Sequence, residues 1–82
     1  MYEIVFSAPY DRFYRKLTPE LQRKTDATIQ QLRLDPRHPS LHTHKREGQP
    51  DMWQARVTKS YRLFFRLEHH VITLLSVEPH EK

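Results

Sequence analysis

Apolar residues alternate with polar ones near both ends of the chain and follow a helical spacing between them. Tyr2, Ile4 and Phe6 lie on one side of residues 2–6, which predicts a short β-strand. An apolar stripe then follows at positions i, i+3, i+4 and i+7, made of Tyr10, Phe13, Tyr14 and Leu17. This spacing is typical of a short amphipathic helix with one face in the core.

Two start signals indicate that this helical region contains two helices. Ser7 can cap the first helix, with Pro9 in its first turn. Thr18-Pro19-Glu20 repeats the pattern of a cap, a proline and an acidic residue. The second helix has inward residues at Leu21, Thr25, Thr28, Ile29 and Leu32. Asp35-Pro36 ends it, because proline disfavours the helical conformation of the residue before it.

The last third of the chain predicts three consecutive strands with arginines at alternate positions. Val57 and Tyr61 both belong to the inward set, so they can face each other across the loop Thr58-Lys59-Ser60. This register places Arg56 directly opposite Arg62, and Gln54 opposite Phe64. Like charges in opposed positions are destabilising, so an anionic ligand would account for the arginine pair. Solvation of both arginines is the simpler alternative.

The second hairpin is predicted to pair Leu67 with Val71 across Glu68-His69-His70. Arg62 would then face Ser76, and Phe64, Ile72 and Leu74 would form an apolar patch on the same outward face. The element order β-α-α-β-β-β predicts an α+β fold, with the helical hairpin on one face of a mostly antiparallel four-stranded sheet. The other face stays uncovered and could bind an anion at one end and a partner protein at the other.

Composition limits the possible functions. The 82 residues predict one domain spanning 1–82, with a formal charge of +4 that favours a polyanionic partner such as nucleic acid. The absence of cysteine excludes thiol chemistry, and the single glycine, Gly48, excludes a glycine-rich phosphate loop. No apolar run reaches membrane-spanning length and no signal peptide is evident, so we expect a cytoplasmic protein.

The remaining candidate catalytic groups are histidines and cations. The loop over residues 36–51 contains His42-Thr43-His44, but no third ligand follows at a recognisable spacing, so no metal site is predicted. RNA cleavage needs a base for the 2′-OH, an acid for the leaving 5′ oxygen and cations for the phosphate. His44, Arg56, Arg62 and His80 offer these groups. His80 should lie beside Tyr61 and Arg62, because it follows the strand antiparallel to theirs.

The segment Trp53-x-x-Arg56-Val57, followed by Tyr61-Arg62-Leu63 and a last strand before His80, resembles the RelE/ParE toxin superfamily. The resemblance covers essentially the whole chain and includes the loop that ends in Gly48. It implies a type II toxin–antitoxin toxin that cleaves mRNA in the ribosomal A site without a metal or other cofactor. It also implies a cognate antitoxin, the ribosome and mRNA as partners, and no membrane.

The resemblance also implies roles for individual residues. Arg62 would contact the scissile phosphate, His44 would act as base and His80 as general acid. The supporting phosphate- or RNA-binding cations would be Arg56, Lys45, Arg46 and Lys59. Two alternatives remain open: a non-catalytic ParE-like inhibitor of DNA gyrase, and a degenerate member that only binds an antitoxin or nucleic acid. The end at Lys82, without the aromatic residue that many members carry beyond the His80 position, favours the degenerate alternative.

Overall fold

The computed structural model describes residues 1–49 and 51–80. Its regular elements are β1 (Glu3–Phe6), α1 (Ala8–Arg15), α2 (Pro19–Leu34), a 3₁₀ turn (Pro39–Leu41), β2 (His44–Lys45), β3 (Met52–Arg56), β4 (Tyr61–Glu68) and β5 (Val71–Pro79). The predicted α+β order β-α-α-β-β-β is confirmed, with β2 as an added element. Within the described residues, no helix is long and apolar enough to cross a membrane.

Both predicted helix caps form. The Ser7 hydroxyl accepts a hydrogen bond from the Tyr10 backbone N–H at 3.2 Å, and the Thr18 hydroxyl accepts one from Leu21 at 3.2 Å. These bonds satisfy N–H groups that the first turn of a helix leaves without an internal partner. The helix α2 ends at Leu34 and is capped by Asp35, as the Asp35-Pro36 pair predicts.

The sheet has five strands in the order β1-β5-β4-β3-β2, so the expectation of four strands is wrong by one. The strand β1 runs parallel to β5, and every other pairing is antiparallel. The additional strand β2 consists of two residues from the predicted loop, His44 and Lys45, paired with Gln54 and Trp53. A two-residue strand is too short to show an alternating pattern, so the sequence could not predict it.

The predicted register of the first hairpin is confirmed, whereas that of the second is wrong. Arg56 faces Arg62 and Gln54 faces Phe64. In the second hairpin Glu68 faces Val71, because His69 adopts a left-handed φ of 55° and the loop needs only His69 and His70. The chain then shifts register between Phe64 and Phe65, so that Arg62 faces Glu78 and Phe64 faces Ser76.

This one-residue difference moves two predicted surface residues into the core. A one-residue slip in pairing transfers a strand's side chains to the opposite face of the sheet. Ile72 and Leu74 are fully buried, so the predicted outward apolar patch with Phe64 does not exist. They join a core formed between the helices and one face of the sheet, whose buried apolar members are Tyr10, Ile29, Leu32, Leu41, Ala55, Leu63, Phe65, Ile72, Leu74 and Val77.

Candidate nucleic-acid interface

The face of the sheet that points away from the core is called the outer face here. Strand register arranges its side chains in two neighbouring rows. The first row runs across the sheet through His44, Gln54, Phe64 and Ser76, and the second through Arg56, Arg62 and Glu78. Same-face residues on one strand are ~7 Å apart, which sets the distance between the rows. Arg66, opposite Thr73, lies one step beyond the first row.

The arginines of the second row have no carboxylate partner in the described part of the chain. Its single ion pair within 4.0 Å joins Lys24 to Glu20 on α2, on the helical side of the protein. Glu78 faces Arg62 across the strands, but its carboxylate accepts a 2.6 Å hydrogen bond from the Ser76 hydroxyl. The outer face therefore presents positive charge that is not neutralised by a paired acid, which favours binding of an anion.

Arg56 is held by a histidine that sequence reasoning did not select. Its Nη1 donates to Nε2 of His42 at 3.3 Å. Because a guanidinium can only donate, Nε2 of His42 is the acceptor in this contact. His42 has a left-handed φ of 48° immediately after the 3₁₀ turn, which aims its ring at the end of β3. The sequence pattern gave no indication that the segment before β2 places His42 alongside Arg56.

Arg62 is anchored by the loop that joins β3 to β4. Its Nη1 donates to the carbonyl oxygens of Thr58 at 2.8 Å, Lys59 at 3.2 Å and Tyr61 at 3.2 Å. No hydrogen bond within the described residues uses its other two nitrogens. The guanidinium is thus fixed by one end and keeps donors for a ligand, which is the arrangement a bidentate phosphate contact needs.

The two predicted proton-transfer histidines lie at opposite corners of the outer face. His44 is exposed on the edge strand β2, where its Nδ1 lies 3.1 Å from the His42 carbonyl oxygen. His80 follows β5, and its backbone N–H donates to the Ser60 carbonyl at 2.5 Å. The prediction that His80 lies on the Tyr61 and Arg62 side is therefore confirmed. Three strand spacings and two row spacings separate the two histidine backbones, or ~20 Å.

The supporting cations are distributed over three places. Lys45 faces Trp53, and its ammonium lies 5.5 Å from the centre of the indole ring, on the core side of β2 rather than on the outer face. Arg46 belongs to the outer face, with its guanidinium carbon 4.8 Å from the centre of the Phe64 ring. Lys59 is exposed in the loop between β3 and β4. Of these three, only Arg46 is placed on the outer face, level with Arg66 and against Phe64 of the first row.

Two further features bear on the candidate site: possible metal ligands and the raised pKa values of two tyrosines. No group of three His, Asp or Glu side chains suited to a metal occurs among residues 1–49 and 51–80. Burial raises the pKa of Tyr10 well above its ordinary value, and the nearby negative charge of Asp26 raises it further. Burial and a hydrogen bond to Asp26 also raise the pKa of Tyr14. Both tyrosines belong to the helical layer and not to the outer face.

Solved structures with the same architecture are toxins and toxin–antitoxin complexes. The YoeB/ParE toxin from Agrobacterium tumefaciens superposes with a TM-score of 0.81 at 14% identity, over 96% of this chain and 99% of that toxin. The chain has the RelE/ParE toxin fold. A chain of the intact E. coli RelBE toxin–antitoxin complex superposes on this chain with a TM-score of 0.79 at 22% identity, over 100% of both chains.

A chain of the RelBE2 toxin–antitoxin complex from Mycobacterium tuberculosis also superposes on this chain. Its TM-score is 0.77 at 23% identity, over 96% of this chain and 98% of that one. The sequence matches no model of a known protein family and no curated protein. The RelE/ParE fold expected from the sequence resemblance is thus confirmed by the structure. Identities this low carry information on the fold and none on the chemistry of individual residues.

Proposed function

We propose that this chain is the toxin of a type II toxin–antitoxin pair and cleaves mRNA on the ribosome. The observation that carries the proposal is the opposed pair Arg56 and Arg62, half-buried on an uncovered sheet face and without carboxylate partners in the described part of the chain. Such a pair fits the charge of a phosphodiester. The fold of the chain, which solved toxin structures share, also supports the proposal. A cognate antitoxin, the ribosome and mRNA are its proposed partners.

The proposed reaction is an intramolecular transesterification at one phosphodiester of the RNA. The 2′-oxygen attacks the adjacent phosphorus and loses its proton to a base, while the bond from phosphorus to the 5′ oxygen breaks and an acid protonates that oxygen. The products are a 2′,3′-cyclic phosphate and a 5′-hydroxyl end. Arg62 and Arg56 stabilise the charge that builds on the non-bridging oxygens. The nucleophile belongs to the RNA, so the proposed mechanism needs no cofactor.

His44 is the proposed base and His80 the proposed acid. His44 lies one row from the arginine pair, and His42 stands beside Arg56 as a second imidazole on the same side. The ~20 Å between the His44 and His80 backbones is more than two imidazoles can span at one phosphate. The proposal therefore requires His44 and His80 to move towards one phosphate when the ribosome and mRNA are bound. Lys59, in the adjoining loop, supplies an additional cation for the RNA backbone.

Induced expression with mapping of mRNA 5′ ends tests this function. The wild type is expected to arrest growth and create new 5′ ends at codon-spaced positions, and Arg62→Ala is expected to abolish both. Arg23→Ala is the matched control, because it removes an exposed arginine from α2 in the helical layer and should leave cleavage intact. Growth arrest with DNA damage and unchanged mRNA ends would contradict the proposal and support gyrase inhibition instead.

A further inference from the structure

A stacked pair of side chains lies beside the proposed phosphate site. The Arg46 guanidinium covers Phe64 with its carbon 4.8 Å from the ring centre. Phe64 is half-buried near the middle of β4, one row from Arg62 on the same strand. An arginine in this position is attracted to the ring face, and a guanidinium can stack on an aromatic ring. Arg46 is exposed, so the side of its guanidinium that does not contact Phe64 is accessible to a ligand.

The backbone of Arg46 is fixed as well as its side chain. Its N–H donates to the Met52 carbonyl at 2.7 Å, and its own carbonyl accepts from the Gln49 N–H at 3.2 Å. These bonds close the turn that joins β2 to β3. The fixed backbone and the contact with Phe64 restrict the Arg46 side chain before a ligand binds, which reduces the conformational entropy lost when a ligand stacks on it.

The outer surface of a guanidinium can receive a nucleobase. Unpaired RNA bases stack on arginine planes as they do on aromatic rings, and every base has a suitable face. The ~7 Å between the rows is comparable to the reach from a phosphate to its own base. Gln54, opposite Phe64 in the same row, has no side-chain hydrogen bond within the described residues and can read the edge of a stacked base.

We propose that Arg46, supported by Phe64, is the stacking platform for one unpaired RNA base next to the phosphate held by Arg56 and Arg62. This inference rests on the proposed function for its ligand, single-stranded RNA. It changes the role of Arg46 from a general cation for the phosphate backbone to a contact with a base. The platform adds base-dependent affinity to a face whose other contacts are made by charge.

The test compares affinity for two uncleavable oligonucleotides with the same charge. One is a short 2′-O-methyl RNA, and the other carries abasic sites in place of its bases. Fluorescence anisotropy at constant salt should show the wild type binding the complete oligonucleotide about tenfold more tightly, since each stacked base contributes roughly 1–3 kcal/mol. Arg46→Lys keeps the charge and loses the plane, so its affinity ratio should fall towards one while its affinity for the abasic strand is unchanged.

Two further variants complete the comparison. Arg66→Lys is the matched control on the same face and should keep the tenfold ratio, because Arg66 does not cover Phe64. Phe64→Leu removes the ring that supports Arg46 and should lower the ratio, with thermal unfolding measured to establish that the variant folds. A wild-type ratio of one, or an unchanged ratio in Arg46→Lys, overturns the platform.

The result is separable from the proposed nuclease activity. The 2′-O-methyl group blocks the attacking oxygen, so the affinity ratio does not depend on cleavage. A protein that binds with the expected ratio but generates no new mRNA ends in cells would contradict the nuclease function and leave the platform supported. A protein that cleaves mRNA but binds abasic and complete strands equally would support the nuclease function and contradict the platform.

Discussion

Arg56 and Arg62 face each other across the β3–β4 hairpin, and each guanidinium is hydrogen-bonded to an acceptor other than a carboxylate on its own side. Arg56 donates to the imidazole of His42, and Arg62 donates to carbonyl oxygens of the adjoining loop. The two acceptors orient the cations without cancelling their charge. Glu78 faces Arg62 in the same row, but its carboxylate accepts from Ser76 and forms no ion pair with Arg62, so both cations keep donors for a ligand.

The anchoring of Arg62 predicts different outcomes for its two simplest substitutions. Arg62→Ala should lower the rate of A-site cleavage on purified ribosomes by about 10²–10³-fold, the usual loss when one donor to a developing oxyanion is removed. Arg62→Lys keeps the charge but not the two-pronged geometry, so it should fall between the wild type and Arg62→Ala. Single-turnover cleavage of a ribosome-bound mRNA measures both.

A purely structural role for Arg62 would give another pattern. If the side chain served only to hold the loop carbonyls, cleavage by both variants would fall in proportion to their loss of thermal stability. Melting temperatures measured on the same preparations separate the two cases. A fully active Arg62→Ala protein would remove Arg62 from the site.

Arg56→Ala should change the salt dependence of RNA binding as well as the affinity. Each phosphate that a cation neutralises contributes about −0.7 to the slope of log K against log salt for a single strand. Losing one contact should therefore make the slope shallower by about 0.7, uniformly across RNA sequences. Anisotropy titrations with an uncleavable oligonucleotide over a range of potassium chloride concentrations measure the slope, and Arg23→Ala should leave it unchanged. An unaltered slope in Arg56→Ala would show that Arg56 contacts no phosphate.

His42 is predicted to act on RNA through Arg56. His42→Ala removes the acceptor for Arg56 Nη1. The contact is exposed and 3.3 Å long, so its contribution is placed at the lower end for a bond to a charged group, about 1.5 kcal/mol, and RNA affinity should fall by up to roughly 12-fold. The same substitution in an Arg56→Ala background should have no further effect, because the group it positions is gone. Equal losses in both backgrounds would instead mean that His42 binds RNA directly.

The parts of the fold that follow from local chemistry could be predicted from the sequence, whereas those that depend on loop geometry could not. Ser7 and Thr18 cap their helices through their own hydroxyls, so residue type and position suffice to identify them. The Arg56–Arg62 pairing follows from parity across a loop whose length the apolar pattern fixes. The left-handed His69 follows from neither, and this single residue reverses the predicted facing of Ile72 and Leu74.

The candidate site divides in the same way. Arg56 and Arg62 could be found from their strands, because strand residues alternate between two faces. His42 and the Arg46–Phe64 stack could not, since they depend on how the 36–51 segment returns to the sheet as β2. That return is made by two residues, His44 and Lys45, and the neighbouring histidines and cations gave no indication of which one would meet Arg56.

Tyr10 offers a test of the core that is independent of RNA. Its ring is 2% exposed, and its hydroxyl is buried without a hydrogen-bond partner in the described part of the chain. A buried polar group without a partner costs about 1–3 kcal/mol, so Tyr10→Phe should raise the free energy of unfolding at pH 7 by roughly 1 kcal/mol. Tyr14→Phe is the contrast, because the Tyr14 hydroxyl donates to Asp26 at 3.0 Å and its loss should lower stability.

The raised pKa of Tyr10 gives this prediction a dependence on pH. Burial and the charge of Asp26 make the folded protein hold the Tyr10 proton more tightly than the unfolded chain, in which the pKa is close to 10.0. The resulting stability is complete below the unfolded value and is lost as the pH rises above it. Denaturant titrations between pH 7 and about 11 should show a steeper alkaline decline for the wild type than for Tyr10→Phe. Parallel declines would mean that Tyr10 finds a partner or reaches solvent, because only a buried phenol resists ionisation in this way.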